Sequence, residues 1–259
     1  MTNTNANSWA NSCVNSCAQC SARHSPLCSV FSDVEIGELF DMAHVRKIDG
    51  GGYLLHEEDP VRQVYNISSG ALALERLASN GARQIMAFCY AGDFIGIASG
   101  PSYSVSARAL KPLTACQWQE SELQTLYKHY PKLEHRVHEI TSRVVEAIMD
   151  QLFVVGRMKA VEKIAWFLLF IETKQAKVDS IPQAVSVSLS EMPQFEMPMT
   201  RIDIADYLGL TVETVSRAFS QLKAKGLINI TDKWTITIRD RTALTALGSY
   251  TTPAPGRKG

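Results

Sequence analysis

Residues 200–219 constrain this chain more than any other stretch. Thr200-Arg201-Ile202-Asp203-Ile204-Ala205-Asp206-Tyr207-Leu208-Gly209 opens on a hydroxyl that can accept from free first-turn amides and closes on a glycine suited to a tight turn. Thr211-Val212-Glu213-Thr214-Val215-Ser216-Arg217-Ala218-Phe219 then starts a second helix, with Thr211 as its cap. Ala205 is small enough for two helices to approach closely, Gly209 makes the turn, and Val215 closes the core between them. These are the steric requirements of a helix-turn-helix, whose second helix enters the major groove by its N-terminal residues. Val212, Glu213, Ser216 and Arg217 are the side chains expected to face outward there. Arginine is bidentate to guanine, glutamate accepts from cytosine N4, and serine serves either. The competing reading is a helical hairpin whose Glu213 and Arg217, four apart, form only a surface ion pair. Small residues and groove-facing polar residues occur together, which favours the DNA reader. Residues 228–231 and 234–238, joined by Asp232-Lys233, read as the hairpin wing of a winged helix.

The second constraint is chemical. Cys13, Cys17, Cys20 and Cys28 fall in one short N-terminal segment without helical or strand period, where a packed core has no use for so many thiols. A metal centre is the expectation. The 259 residues are enough to bury a core, and 46% apolar with 20% charged residues is the balance of a globular protein. No apolar run approaches the roughly 18 residues that a membrane helix needs. The N-terminus lacks a basic flank and an apolar stretch, so no secretory signal is expected. A cytoplasmic location follows as the expectation, with clustered cysteines metal-binding rather than disulfide-bonded. Formal charge is zero overall but uneven. Residues 1–155 carry 12 Lys and Arg against 16 Asp and Glu, and residues 156–259 carry 14 against 10. This permits a polyanion partner for the C-terminal part only.

Taken in order, residues 1–12 are polar and read as disordered, and Ser32 with Glu35 spells a capping box that starts a helix. From about Met42 to Trp118, short apolar runs alternate with turn residues, which predicts a β-sandwich, roll or barrel. Asn80-Gly81 predicts a type I′ hairpin turn. Pro131 opens a long amphipathic helix, with Leu133, Val137, Ile140, Val144, Ile148, Leu152 and Val155 at spacings of three and four. Such a stripe suits pairing with its twin; the alternative is packing on its own β-domain alone. Gly156 is the expected hinge, followed by a helix over 160–173 and a loop with Pro182, Pro193 and Pro198. The expected divisions are a cysteine-rich segment 1–30, a β-domain 31–130, the long helix 131–156, a winged helix 157–240 and a tail 241–259.

With these parts in place, the chain resembles the CRP/FNR family of bacterial transcription regulators over about residues 17–240. Residues 208–217, Leu-Gly-Leu-Thr-Val-Glu-Thr-Val-Ser-Arg, are especially close to its FNR branch. The resemblance implies an α+β fold: an N-terminal double-stranded β-roll like a cyclic-nucleotide-binding domain, a long dimerisation helix, and a C-terminal winged helix-turn-helix. It implies a homodimer paired through Val137, Ile140, Val144, Ile148 and Leu152, with RNA polymerase as a further partner. Double-stranded DNA carrying a palindromic TTGAT-type site would meet Thr200, Thr211, Val212, Glu213, Ser216 and Arg217. The FNR branch holds an oxygen-labile 4Fe–4S cluster, for which Cys17, Cys20 and Cys28 match the N-terminal ligands and Cys116 the distant one. The C-x2-C-x7-C spacing departs from the best-known enterobacterial member, whose second gap is shorter. Oxygen would convert the cluster and loosen the dimer, with repulsion among Glu139, Glu146 and Asp150 weakening the cluster-free pair.

Alternatives stay open for the thiols and the signal. C-x2-C is equally a zinc half-site, and a regulator with structural zinc, or one answering to nitric oxide or haem, would not be oxygen-gated. Cys13-x3-Cys17-x2-Cys20 also spells the radical-SAM motif, but the α/β barrel it needs is missing from the pattern. Cys13 reads as a spare thiol and Cys89 as a small buried hydrophobe. A cyclic nucleotide is not expected, because Ser102-Tyr103-Ser104-Val105-Ser106-Ala107 lacks the needed Arg, and Arg108 reads as a surface ion partner. His24, His44 and His56 show no haem pattern. Ser121, His129 and Glu57-Glu58 offer no nucleophile–base spacing, so no enzyme is expected.

Overall fold

A computed structural model describes Cys20, residues 22–179, 194–232 and 235–249. The expectations for residues 1–12, Cys13, Cys17, Pro182, Pro193 and Trp234 lie outside the described residues. The chain divides into two compact units, Met1–Ala82 with Met86–Val144 and Arg83–Ile85 with Val145–Gly259.

The first unit is a two-sheet roll. Strands β1 (His44–Ile48), β8 (Leu113–Gln119), β3 (Gln63–Ser69) and β6 (Phe94–Ile95) lie in that spatial order. The second sheet runs β2 (Tyr53–Leu55), β7 (Ser106–Ala109), β4 (Ala71–Leu77), β5 (Arg83–Tyr90). Alternate side chains of a strand point to opposite faces. Tyr65, Ile67, Leu72, Ala107, Leu113 and Ala115 therefore fill the space between the sheets, together with Cys89. Val64 and Trp118 point the other way into a second core, shared with helices α1 (Asp33–Asp41), α2 (Glu120–His129) and α3 (Pro131–Arg157). Trp118 Nε1 donates to the Leu39 carbonyl at 2.9 Å inside that core, tying β8 to α1. α1 begins where the sequence places it: Ser32 Oγ accepts from Glu35 N, and Glu35 accepts from Ser32 N at 2.8 Å.

Several expectations change in this unit. The boundary at residue 30 dissolves, because Ala22, Leu27 and Phe31 are buried and Leu27 and Phe31 join the α1–α3 core. The Asn80-Gly81 hairpin is present, but only Gly81 has positive φ (83°). Gly81 N donates to Ala78 O, Ala78 N donates to Ala82 O, and Asn80 Oδ1 accepts from Ala82 N. A three-residue loop with a left-handed glycine thus replaces the two-residue type I′ turn. Arg108 is no surface partner. Its side chain is 18% exposed and pairs at 3.0 Å with Glu75, itself 4% exposed, which also accepts from the Tyr53 hydroxyl at 2.8 Å. The β7–β4 pairing brings Arg108 opposite Ala73 and so beside Glu75 on one face.

The second unit holds α4 (Ala160–Asp179), α5 (Arg201–Leu208), α6 (Val212–Ala224) and α7 (Arg241–Gly248), with a sheet ordered β10 (Ile228–Ile230), β11 (Thr235–Ile238), β9 (Gln194–Glu196). Ile164, Phe167, Leu168 and Ile171 bury one face of α4. Residues 241–248, expected as tail, form α7 instead. Arg241 pairs with Glu172 of α4, and a Cβ on Gly248 would come within 2.6 Å of Trp166 N, so α7 packs tightly against α4. Gly156 is not a hinge, since α3 continues through it to Arg157 and Val154 is fully buried. An interior helical glycine costs only about 1 kcal/mol, which is less than burying a valine returns. The division between units falls at Val144 and Val145 instead. Among the described residues no helix is long and apolar enough to cross a membrane.

Lys132 Nζ of α3 holds both Glu35 oxygens at 2.7 Å. That contact, with the Ser32 amide and hydroxyl, keeps the Glu35 carboxyl at about 2, below its ordinary 4.5. A carboxyl depressed on folding stabilises above its unfolded pKa, and the contribution is lost as pH falls through the folded one. Glu35→Gln should therefore melt below the wild type at pH 7, with the gap closing between pH 4.5 and about 2. Thermal melts across that range test it, and a pH-independent gap would contradict the account.

Candidate functional site

The helix-turn-helix is set by its ends. Thr200 Oγ1 accepts from Asp203 N at 3.1 Å, and Asp203 accepts from Thr200 N at 2.8 Å, closing a capping box on α5. Gly209 ends that helix at φ 63°, in the left-handed region that a side chain resists. Thr211 Oγ1 accepts from Thr214 N at 3.2 Å and starts α6. Thr200 and Thr211 thus use their hydroxyls to fix helix ends. Val215, Ala218, Phe219 and Leu222 are buried, so the α6 face carrying Val212, Glu213, Ser216 and Arg217 is left to solvent, as expected. Glu213 stays ionised, its pKa lowered by its own amide at the helix start, by the Thr211 hydroxyl and by Arg217. α6 therefore offers an acceptor and a fixed cation near its first turns, the two groups that read cytosine and guanine edges.

The long helix separates the five expected pairing residues. Leu133 and Val137 (8% exposed) belong to the first unit's core, with Ile140 half-buried against it. The structure thus uses Val137 inside its own unit, in the core that it shares with Leu133, Leu126 and Trp118. Between residues 144 and 152 the apolar side chains are uncovered: Val144, Ile148 and Leu152 (73%) of the stripe, and Val145 and Met149 beside it, are all exposed. Glu139 pairs with Arg136 at 2.6 Å and lies 3.3 Å from His135. Its charge is answered on its own helix, which leaves Glu146 and Asp150 for the expected repulsion.

Three of the four expected metal ligands are described, and they converge. Cys20 and Cys28, from the N-terminal loop, and Cys116, from β8, line one small apolar cavity beside Leu39, Phe40 and Trp118. Cys17 lies outside the described residues. Arg23 folds the loop. Its guanidinium donates to the Cys28 carbonyl at 3.0 Å and the Phe31 carbonyl at 3.2 Å, and pairs with Asp33 at 2.8 Å. Burial pushes the Cys28 thiol up to about 12, with the Cys116 and Cys20 thiols adding to the rise. A buried protonated thiol becomes a ligand only when a metal's charge displaces its proton. No group of three or more His, Cys, Asp or Glu side chains that could hold a metal ion is assembled among the described residues. A single zinc needs its sulfurs about 2.3 Å from one point, whereas a 4Fe–4S cluster spreads its thiolates over separate irons. Soft thiolates on an apolar wall fit the cluster's donor chemistry.

Comparison with known proteins fixes the family. Residues 162–247 match the Crp-like helix-turn-helix domain, and residues 45–130 match the cyclic nucleotide-binding domain. The nitrogen fixation regulation protein FixK of Bradyrhizobium diazoefficiens is 33% identical over 211 residues, 82% of this chain and 85% of that protein. The chain belongs to the CRP/FNR family of transcription regulators. The fumarate and nitrate reduction regulatory protein of Salmonella typhimurium is 30% identical over 235 residues, 88% of both chains. The structure of FixK2 from Bradyrhizobium japonicum superposes with a TM-score of 0.71 at 30% identity, covering 81% of this chain and 99% of that one. The protein is therefore a DNA-binding transcription regulator, not an enzyme, and the α+β fold implied by the resemblance is the one observed.

In this regulator, the recognition helix rests on two contacts that the sequence does not announce. The Arg201 guanidinium stacks 3.3 Å from the Phe219 ring centroid. Its Nη1 is buried without a hydrogen-bond partner, and burial pulls its pKa to about 10. Lys163 Nζ, on α4, donates to the Leu208 carbonyl at 3.2 Å and satisfies the end of α5, at the cost of a burial-lowered pKa. Both contacts join residues far apart in the chain, so no local spacing signals them. The exposed guanidinium of Arg217 differs from that of Arg201 in being free to reach a base. Arg217→Ala should cost about 1–3 kcal/mol of specific binding and relax preference at one guanine. Binding measured on single-base operator variants checks this, since an equal loss on every sequence would mean a phosphate contact.

Proposed function

We propose that this regulator binds a palindromic TTGAT-type site as a homodimer, and that a 4Fe–4S cluster on Cys17, Cys20, Cys28 and Cys116 makes that binding oxygen-dependent. The observation that carries the reading is the convergence of Cys20, Cys28 and Cys116 on one apolar cavity from two separate segments. Similarity to the fumarate and nitrate reduction regulatory protein supports it. When bound, the cluster supplies an oxygen-labile bond between the N-terminal loop and β8. The chain's own residues do the rest: Arg23 shapes the loop, Trp118 fixes β8 against α1, and Leu133 and Val137 root α3 in the same core. The commitment of Arg108 to Glu75 supports a roll that takes no cyclic phosphate.

The uncovered apolar residues of α3 supply the dimer contact, and two-fold pairing would space the recognition helices by about 34 Å, one turn of DNA. RNA polymerase is the expected partner of the exposed roll loops, and the cytoplasm the expected location. The second reading is a regulator with structural zinc that ignores oxygen, since the Cys17-x2-Cys20 spacing is equally a zinc half-site.

Anaerobic purification separates the two. A brown protein with about four irons and four sulfides per chain, whose operator affinity falls as air bleaches it, supports the cluster. A colourless protein with one zinc per chain overturns it. Ile148→Asp with Leu152→Asp should turn the dimer into a monomer by sedimentation while leaving each unit folded; an unchanged dimer would place the interface elsewhere.

A further inference from the structure

We infer that Asn66 and Ser68 of β3 act as hydrogen-bond donors to the ligand sulfurs and so set the reduction potential of the cluster; the inference rests on the cluster reading above. In β3, Tyr65 and Ile67 enter the roll core, so Asn66 points the other way. Asn66 is the cross-strand partner of Cys116 in the β3–β8 register, which puts both side chains on the face that Cys28 covers. Asn66 Nδ2 donates to Cys28 Sγ at 3.6 Å, and Ser68 Oγ lies 3.4 Å from Cys116 Sγ. Against a thiolate, which has no proton to give, the serine hydroxyl is the donor. Ala22 N donates to Cys20 Sγ at 3.4 Å, so each described thiol of the cavity has a donor.

Fold stability does not explain the amide. Asn66 is 1% exposed and its Oδ1 is buried with no partner, beside the apolar Val64 and Trp118. A buried acceptor left unmade costs about 1–3 kcal/mol, so an aliphatic side chain would be the cheaper filling. What the amide offers in return is a directed N–H at a sulfur. Reduction adds negative charge to a thiolate-bound cluster, and donors to the sulfurs favour that more negative form. Asn66 and Ser68 are positioning residues in this role, since they touch ligands rather than irons.

The test uses full-length wild type, Asn66→Leu, Ser68→Ala and the double variant, each loaded with iron and sulfide under argon. Iron content, melting temperature and a redox titration are read on all four. At a fixed potential the ratio of reduced to oxidised cluster should fall about threefold in each single variant and about tenfold in the double, the latter a shift of about 59 mV for one electron. Iron content should stay at the wild-type level. Ser68→Ala, at a half-buried site, keeps the test open should Asn66→Leu fail to fold. Unaltered potentials in iron-loaded variants overturn the donor role. Loss of iron from folded variants overturns it too, because the pair would then build the site rather than tune it. A wild type that takes up no iron overturns the cluster reading itself, an outcome distinguishable from both.

Discussion

Strand β8 is the constraint on which the sensor unit depends, because its alternate side chains serve two different layers. Leu113 and Ala115 close the space between the sheets, while Cys116 faces the N-terminal loop and Trp118 the helices. The two roles are locked by pairing on both sides, with β1 and with β3. A one-residue slip would turn every side chain over, burying Cys116 in the roll and expelling Ala115. Trp118 guards against that slip, since its indole N–H finds its acceptor, the Leu39 carbonyl, only from the helix-facing side. The thiol cavity is therefore a consequence of strand register, as is the placement of Asn66 opposite Cys116.

In the second unit the corresponding constraint is at the two ends of α5. Thr200 and Asp203 close its start, Gly209 and Lys163 its finish, and the turn to α6 leaves little freedom. The Val155 methyl lies 3.4 Å from where a Gly209 Cβ would stand, so the turn is also pressed by α3. Arg201 packs on Phe219 beneath the recognition helix. A cation over a desolvated ring is worth about 2 kcal/mol, which offsets part of the cost of its unpartnered Nη1. Such over-determined support suits a helix that must meet base edges at hydrogen-bond distance. α3 contributes side chains to both units, Leu133 to the first core and Val154 among the buried residues of the second, and leaves its middle apolar residues uncovered.

What could be read in advance was local. The capping box at Ser32, the N-cap hydroxyl of Thr200, the left-handed Gly209 and the outward set Val212, Glu213, Ser216 and Arg217 each follow from residues within one turn of each other. The hairpin at Asn80-Gly81 was legible as a hairpin but not in its turn type, because the flanking Ala78 and Ala82 pair and add a residue to the loop. Gly156 does not end α3, for a related reason. A glycine's local preference is small, and burial of Val154 decides the helix instead.

By itself the sequence determined which segments become helix, turn and strand, and which side chains carry base-reading and thiol chemistry, because caps, periodicity and residue chemistry act over a few residues. Only the tertiary structure decided what these segments meet. It sent Val137 into its own unit's core rather than to a partner, made residues 241–248 a packed helix rather than a tail, and buried Arg108 against Glu75. It also gathered Cys20, Cys28 and Cys116 on one cavity and aimed Asn66 at the Cys28 sulfur. Those outcomes depend on register and packing between residues distant in the chain, where no spacing in the sequence carries the information.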